Sequence, residues 1–152
     1  MKLQRLDLAD PAVASRVLRL QRDAYRVEAE LIGSDEIPPL RETLAELQAS
    51  GETFLGAFVD GSLAGAISWK VAGETIDLHR LVVDPTRFRG GIGVALLRAA
   101  LGADPSLRLA VVQTGAANGP AAALYLREGF EPAGEIEPVP GVRVARFTKR
   151  LG

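Results

Sequence analysis

From Lys2 to Leu8 apolar and polar side chains alternate, the period of a strand with one buried face. Asp10-Pro11 then sets a capping carboxylate ahead of a proline suited to a first helical turn. From Ala12 to about Leu31 the apolar residues Val13, Val17, Leu20, Ala24 and Val27 return every three or four positions. That spacing predicts a long helix with one buried face, stopped at Gly33. The prolines of Gly33-Ser-Asp-Glu-Ile-Pro-Pro exclude a continuous helix, and Arg41 to Ser50 predicts a second, shorter one closed by Gly51.

The next block is β-rich: Thr53 to Val59, an Asp60-Gly61 pair suited to a tight hairpin, Ser62 to Val71, a Gly73 turn, and Thr75 to Asp84. These predict three successive antiparallel strands. A helix from about Gly91 to Leu101, a strand from Leu107 to Gln113 and a helix from about Pro120 to Glu128 follow. Two last strands, near Phe130 to Ile136 and Val142 to Lys149, complete an α/β pattern of seven strands and four helices. At 152 residues with no low-complexity linker, the expectation is a single domain over residues 1–152.

Composition narrows the chemistry. The 18 Lys plus Arg nearly balance 19 Asp plus Glu, so no overall field argues for nucleic acid or an anionic membrane, and any anion site must be local. Cysteine is absent, which removes disulfides, thiolate nucleophiles and cysteine-ligated metals, and one histidine excludes an all-histidine metal site. No metal is expected. Charges interrupt MKLQRLDLAD, so neither a signal peptide nor a membrane span is expected there, and the reading is cytoplasmic.

The segment from Leu81 through Asp84-Pro85 to Arg87, Arg89, Gly90, Gly91, Ile92, Gly93 and Val94 is the most informative. An apolar strand runs into a short loop rich in Arg and Gly, and a helix opens directly at the glycines. The first N–H groups of a helix have no carbonyl partner within it, and its dipole adds positive charge there. Glycines let a phosphate approach the backbone, and Arg87 and Arg89 add forked donors, so a pyrophosphate suits this segment. No Lys-Ser or Lys-Thr follows, which disfavours a nucleotide P-loop; Leu96 stands where a dinucleotide fingerprint needs its third glycine.

With these residues the chain resembles the GNAT superfamily of N-acetyltransferases. The family's cofactor motif is Arg/Gln-x-x-Gly-x-Gly/Ala; Gly91 and Gly93 match its glycines, whereas Phe88 departs from its first position and Arg87 and Arg89 flank the site. A second family feature, Asn followed by a helix carrying Tyr and ending in Gly-Phe, is matched by Asn118, Tyr125, Gly129 and Phe130. The likeness spans about Thr53 to Lys149.

The resemblance implies a mixed, mostly antiparallel twisted sheet splayed into a V, with the pantetheine arm of acetyl-CoA against the backbone of Leu81, Val82 and Val83. It implies acetyl-CoA as co-substrate, and direct transfer of its acetyl group to a primary amine of a small molecule or peptide without an acyl-enzyme. The residues agree: no Cys can be acylated, and no Gly-x-Ser-x-Gly elbow is present. Homodimers are common in the family.

An alkylamine with a pKa of about 10 must lose a proton before it attacks. Strand alternation places Asp77 and His79 on one face with Leu81 and Val83, which makes both candidate bases. A water chain to Glu28 or Glu30 stays open. Tyr125 is the candidate acid for the departing thiolate, a backbone N–H near Leu81 would hold the oxyanion, and Asn118 either bonds the pantetheine or caps its helix. The acceptor pocket would come from about Tyr25 to Arg41 and Glu135 to Arg143, where Tyr25, Glu28, Glu30, Asp35 and Glu36 lean acidic. A sensor that binds acetyl-CoA without turnover, or an interaction module, is the alternative.

Overall fold

The computed structural model describes residues 1–32, 42–87, 90–116 and 118–152, with the side chains of residues 28, 31 and 32 also outside the description. The expectations at Gly33, Asp35, Glu36, Arg41, Phe88 and Arg89, and at the side chain of Glu28, therefore lie outside the described residues. Strand β1 (Lys2–Leu6) leads into helix α1 (Pro11–Ile32) and helix α2 (Leu44–Gln48), followed by β2 (Thr53–Val59), β3 (Ser62–Ala72) and β4 (Thr75–Val83). Helix α3 (Ile92–Leu101), β5 (Leu109–Gly115), α4 (Gly119–Arg127), β6 (Glu131–Val139) and β7 (Val142–Arg150) complete the chain. All seven strands join one sheet in the order β1-β2-β3-β4-β5-β7-β6. Only β4 and β5 run parallel, with α3 making the crossover.

Local chemistry sets most boundaries. Asp10 Oδ1 accepts the Ala12 N–H at 2.9 Å, the expected cap of α1. Helix α2 starts at Leu44 because Thr43 and Glu46 form a reciprocal capping box, which periodicity alone does not register. The hairpin between β2 and β3 turns on Asp60 and Gly61, both with positive φ, as a tight turn that matches strand twist requires. Strand β5 begins two residues later than expected because Asp104 accepts the Ser106 N–H and hydroxyl and holds a turn ahead of it.

Helices cover both faces of the sheet. On one face α1 and α2 bury Val17, Leu18, Leu20, Tyr25 and Leu47 against Phe54, Ala66 and Val82. On the other, Ile92, Leu96 and Leu97 of α3 and Tyr125 of α4 pack with Ile67, Trp69, Ile76 and Leu78. Helix α3 lies so close to β3 that a Cβ at Gly65 would stand 2.7 Å from Ile92 Cγ2.

Strand β4 departs from simple alternation. Ser68 pairs with Arg80 but Trp69 pairs with Leu78, so β4 carries one surplus residue at His79. Before this bulge Ile76 and Leu78 face α3; after it Leu81 and Val83 do. A bulge switches which parity of the strand faces which side. The expectation that Asp77 shares a face with Leu81 and Val83 is corrected on that ground.

Arg80 turns toward α1, where its side chain is 11% exposed. Nε and Nη2 donate to the two oxygens of Glu52 at 2.8 and 3.0 Å, Nη2 and Nη1 donate to the two oxygens of Glu42, and Nη1 also donates to Gln21 Oε1 at 2.9 Å. All five guanidinium N–H donors are thereby used. The ring of Phe54 lies 5.6 Å from the guanidinium carbon. Burial opposes the charge of Arg80, but its hydrogen bonds to the Glu42 and Glu52 carboxylates, with their charges, outweigh it and raise its pKa. Burial likewise pushes Glu52 up, yet the Arg80 and Ser68 hydrogen bonds and the charges of Arg80 and His79 hold it below its usual range.

Arg80→Met strands two buried carboxylates and is expected to cost about 3–5 kcal/mol at pH 7, measured by urea unfolding. Because the Glu52 pKa is depressed in the folded state, its contribution is complete above its ordinary value of 4.5 and is lost as pH falls through the folded-state value. The stability gap between native protein and variant should therefore narrow below about pH 4.5; a gap independent of pH would contradict this account.

Candidate functional site

The parallel ladder between β4 and β5 runs from Thr75↔Leu109 to Leu78↔Val112 and stops, although β4 continues to Val83 and β5 to Gly115. Beyond Leu78 the strands splay. On its other edge, β4 keeps Leu81, Val82 and Val83 paired with Ile67, Ala66 and Gly65. The edge of Leu81 to Val83 that faces the split is left without a β5 partner, which opens main-chain groups to a ligand in extended conformation.

A cavity of about 310 Å³ occupies the split. Tyr25 and Arg80 line it from the α1 side, Ala121 and Tyr125 from the α4 side, and His79, Leu81 and Asn118 between them. It therefore connects the two faces of the sheet, so two reactants can approach from opposite sides. Tyr125 is 5% exposed, with Phe130 at 5.5 Å edge-to-face and Phe147 at 5.9 Å, contacts that fix the ring. Tyr125 thus fills the core and also borders the cavity.

Asn118 caps α4, its Oδ1 accepting the Ala121 N–H at 3.2 Å, and it lines the cavity as well. His79 lines the cavity; Asp77, with a side chain 55% exposed, does not. Asp77 pairs with His79 rather than with Arg80, its Oδ2 lying 3.3 Å from His79 Nε2. Glu30 is exposed on α1 and takes no part in the cavity lining. In the C-terminal part of the expected acceptor pocket, Glu135 and Arg143 pair with each other at 2.8 Å, while the neighbouring Val144 reaches the cavity.

At the end of β4, Asp84 accepts the backbone N–H and hydroxyl of Thr86 and so closes a 3-10 turn at Pro85–Arg87. The Thr86 hydrogen bonds and the charge of Arg87 hold the Asp84 carboxyl below its ordinary value. Gly91 then caps α3 in the left-handed conformation at φ 74°, with no side-chain hydrogen bond to the helix start. Among the described residues the N–H of Ala95 is the first to bond back, to Gly91 O at 3.0 Å, which leaves the amides of Ile92, Gly93 and Val94 at an open helix end. A Cβ at Gly93 would sit 3.7 Å from Leu124 Cδ2 and 3.8 Å from Val83 Cγ2. The glycine turn ahead of α3 is thus wedged between the free strand edge and the helix that carries Tyr125.

The sequence reading missed the group that surrounds His79. Glu52, 6% exposed, approaches His79 Nδ1 to 3.6 Å, and Glu42, Gln21 and Ser68 complete the Arg80 network. No motif marks these residues, because they come from four places along the chain. The available signal was the charged and polar run of Asp77, His79 and Arg80 within one strand.

At Gly91 an added Cβ meets nothing within 4 Å, so Gly91→Ala should lose only the left-handed backbone strain, about 1–2 kcal/mol by urea unfolding. A much larger loss would show that the helix end is packed rather than open.

A protein of Bacillus subtilis (strain 168) described as UPF0157 protein YqkA is 36% identical over 138 residues, 91% of this chain. The chain spans only 40% of that relative's length. Among solved structures, a PaiA N-acetyltransferase from Thermoplasma acidophilum in complex with coenzyme A superposes with a TM-score of 0.80 at 21% identity, over 99% of this chain and 98% of that one. The ribosomal-protein-S18-alanine N-acetyltransferase of Escherichia coli gives 0.79 at 17% identity, over 99% and 94%. These likenesses establish the fold, a seven-stranded mixed sheet with helices on both faces. The model of the acetyltransferase (GNAT) family matches residues 15–130, and with the split sheet and open α3 end in place the chain belongs to that family.

Proposed function

We propose that this chain is an acetyl-CoA-dependent N-acetyltransferase that moves the acetyl group from the thioester directly to a primary amine of a small molecule or peptide, and that residues 1–152 act as one domain of that type. The observation that carries this reading is the cavity through the β4–β5 split, which is lined by both a buried phenol and an imidazole. Coenzyme A accompanies the PaiA enzyme whose fold the chain shares, and that supports the same ligand here.

The residues divide the work. The amides of Ile92 to Val94, with Gly90, Gly91 and the charges of Arg87 and Arg89, would hold the pyrophosphate. The open edge of Leu81, Val82 and Val83 would bond the pantetheine amides, with Asn118 opposite, and leave the thioester beside Tyr125. A main-chain N–H at the bulge would receive the charge that develops on the carbonyl oxygen. Of the candidate bases, the geometry supports His79, which borders the cavity; Asp77 stands behind it. The amine nitrogen bonds the acetyl carbon, the C–S bond breaks, and the phenol of Tyr125 supplies a proton to the thiolate.

At about a hundred times its dissociation constant, acetyl-CoA should add roughly 2.7 kcal/mol of stability, read as a melting temperature several degrees higher. No shift would remove the cofactor claim. Release of free coenzyme A in the presence of a pooled amine library should depend on one class of amine; tight binding with no release across a broad library would overturn transfer. Tyr125→Phe should lower kcat about a hundredfold with acetyl-CoA binding unchanged, and full turnover with chemistry rate-limiting would dismiss the phenol as acid.

A further inference from the structure

We propose that the acceptor amine belongs to an acidic polypeptide, whose carboxylates bind Arg19, Arg22 and Arg26 in a groove between α1 and α2 while the amine enters the cavity. The inference rests on the acetyl-transfer reading above and narrows its acceptor to one class.

Helix α1 has two unlike sides. Val17, Leu18, Leu20, Gln21 and Tyr25 are buried, whereas Arg16, Arg19, Arg22 and Arg26 are exposed. Spacings of three, three and four residues make these arginines neighbours along the helix surface. Asp23 is the one acid between Arg16 and Arg26. Among the described residues, Arg19 and Arg26 find no hydrogen-bond or ion-pair partner, and Arg22 gives one bond, from Nη2 to the backbone oxygen of Glu42 at 3.2 Å. Like charges at three- and four-residue spacing repel and weaken a helix, so stability does not account for the stripe. Arg80, Arg98, Arg108 and Arg143, by contrast, each reach a carboxylate.

The arginines border a concave surface. A groove of about 310 Å³ lies between α1 and α2, lined by Arg19, Arg22, Arg26 and Asp23 together with the apolar Leu18 and Leu44. Three positive charges there face one negative. Groove and cavity meet at Glu42, whose backbone oxygen accepts from Arg22 and whose carboxylate accepts from Arg80, a residue of the cavity wall.

At that junction the sign reverses. Glu42 and Glu52 share the single guanidinium of Arg80, two carboxylates against one cation, and the excess negative charge draws an ammonium toward the cavity. A ligand that matches both regions carries a cationic amine at one point and carboxylates a short way beyond it. Arg19 to Arg26 spans about 10 Å of helix, the length of about three residues of extended chain. An acidic peptide segment meets both demands. A nucleic acid fits less well, because no aromatic side chain lines the groove to stack on a base and the near-balanced charge of the chain supplies no wider basic field.

The test offers the full-length protein acetyl-CoA and three pools of short peptides, each peptide with a free terminal amine and one Lys, and reads release of coenzyme A. Near these amines the pools carry Asp and Glu, Ser and Gly, or further Lys. At low salt the acidic pool should exceed the neutral pool about tenfold in kcat/KM, the scale of three exposed ion pairs, and the advantage should shrink as salt is raised. The double variant Arg19→Gln/Arg26→Gln should bring the acidic pool down to the neutral one by raising its KM, with the melting temperature unchanged. Arg19→Glu/Arg26→Glu should turn the preference toward the Lys pool, a reversal that a merely structural role would not produce.

Equal kcat/KM for the acidic and neutral pools, or a preference that both double variants leave intact, overturns the inference while acetyl transfer stands. So does turnover with small amines and with no peptide, or a melting temperature several degrees lower in the Gln variant. Binding of a single-stranded RNA oligonucleotide that depends on these arginines, with no binding of N-acetylated acidic peptide, overturns it in favour of a nucleic-acid surface. Absence of coenzyme A release with every peptide and amine overturns transfer itself, and the acceptor class with it.

Discussion

Strand β4 carries, between Leu78 and Arg80, one residue more than β3 can pair. Backbone hydrogen bonding forces the surplus out of register, and the strand changes parity there: Ile76 and Leu78 face α3 before it, Leu81 and Val83 after it. At the same point the parallel ladder to β5 ends, at Leu78↔Val112. The cavity, the free edge of Leu81 to Val83 and the passage from one face of the sheet to the other all follow from that coincidence. A regular β4 paired with β5 along its full length would bury those main-chain groups in a ladder and leave no room between the faces.

Such a defect costs pairing energy, and the structure sets a dense group of polar contacts beside it. Arg80, displaced toward α1 by the bulge, uses all five donors on Glu42, Glu52 and Gln21, while Ser68 and the ring of Phe54 complete its surroundings. Buried ions without partners are costly, and this one ties the first helix and the residues just ahead of α2 and β2 to a single guanidinium on β4, with Ser68 of β3 joined through Glu52. The network holds the α1 side of the split where Tyr25 and His79 meet the cavity. Structural support and the electrostatics of the site are thus one set of atoms.

Much of this was legible along the chain because it rests on local rules. Residue patterns and turn signals located the seven strands and four α-helices of the described residues, Asp60-Gly61 marked its hairpin, and Asp10-Pro11 marked the start of α1. Boundaries moved where side chains intervened, as at the Thr43/Glu46 capping box and the Asp104 turn. The glycines before α3 announced an open helix end, since a helix start without a capping side chain is a property of neighbouring residues. Asn118 as the cap of α4 and Tyr125 within the same helix were equally local.

What the amino-acid sequence determined by itself was the set of elements, their order, and the glycine-opened start of α3 after β4. The tertiary structure decided which side of β4 each residue takes, because register is a property of two strands and strict alternation misplaced Asp77. It also decided that Glu42, Glu52, Ser68 and Arg80 converge, since a guanidinium selects its carboxylates by distance in space and carries no record of them in the residues beside it.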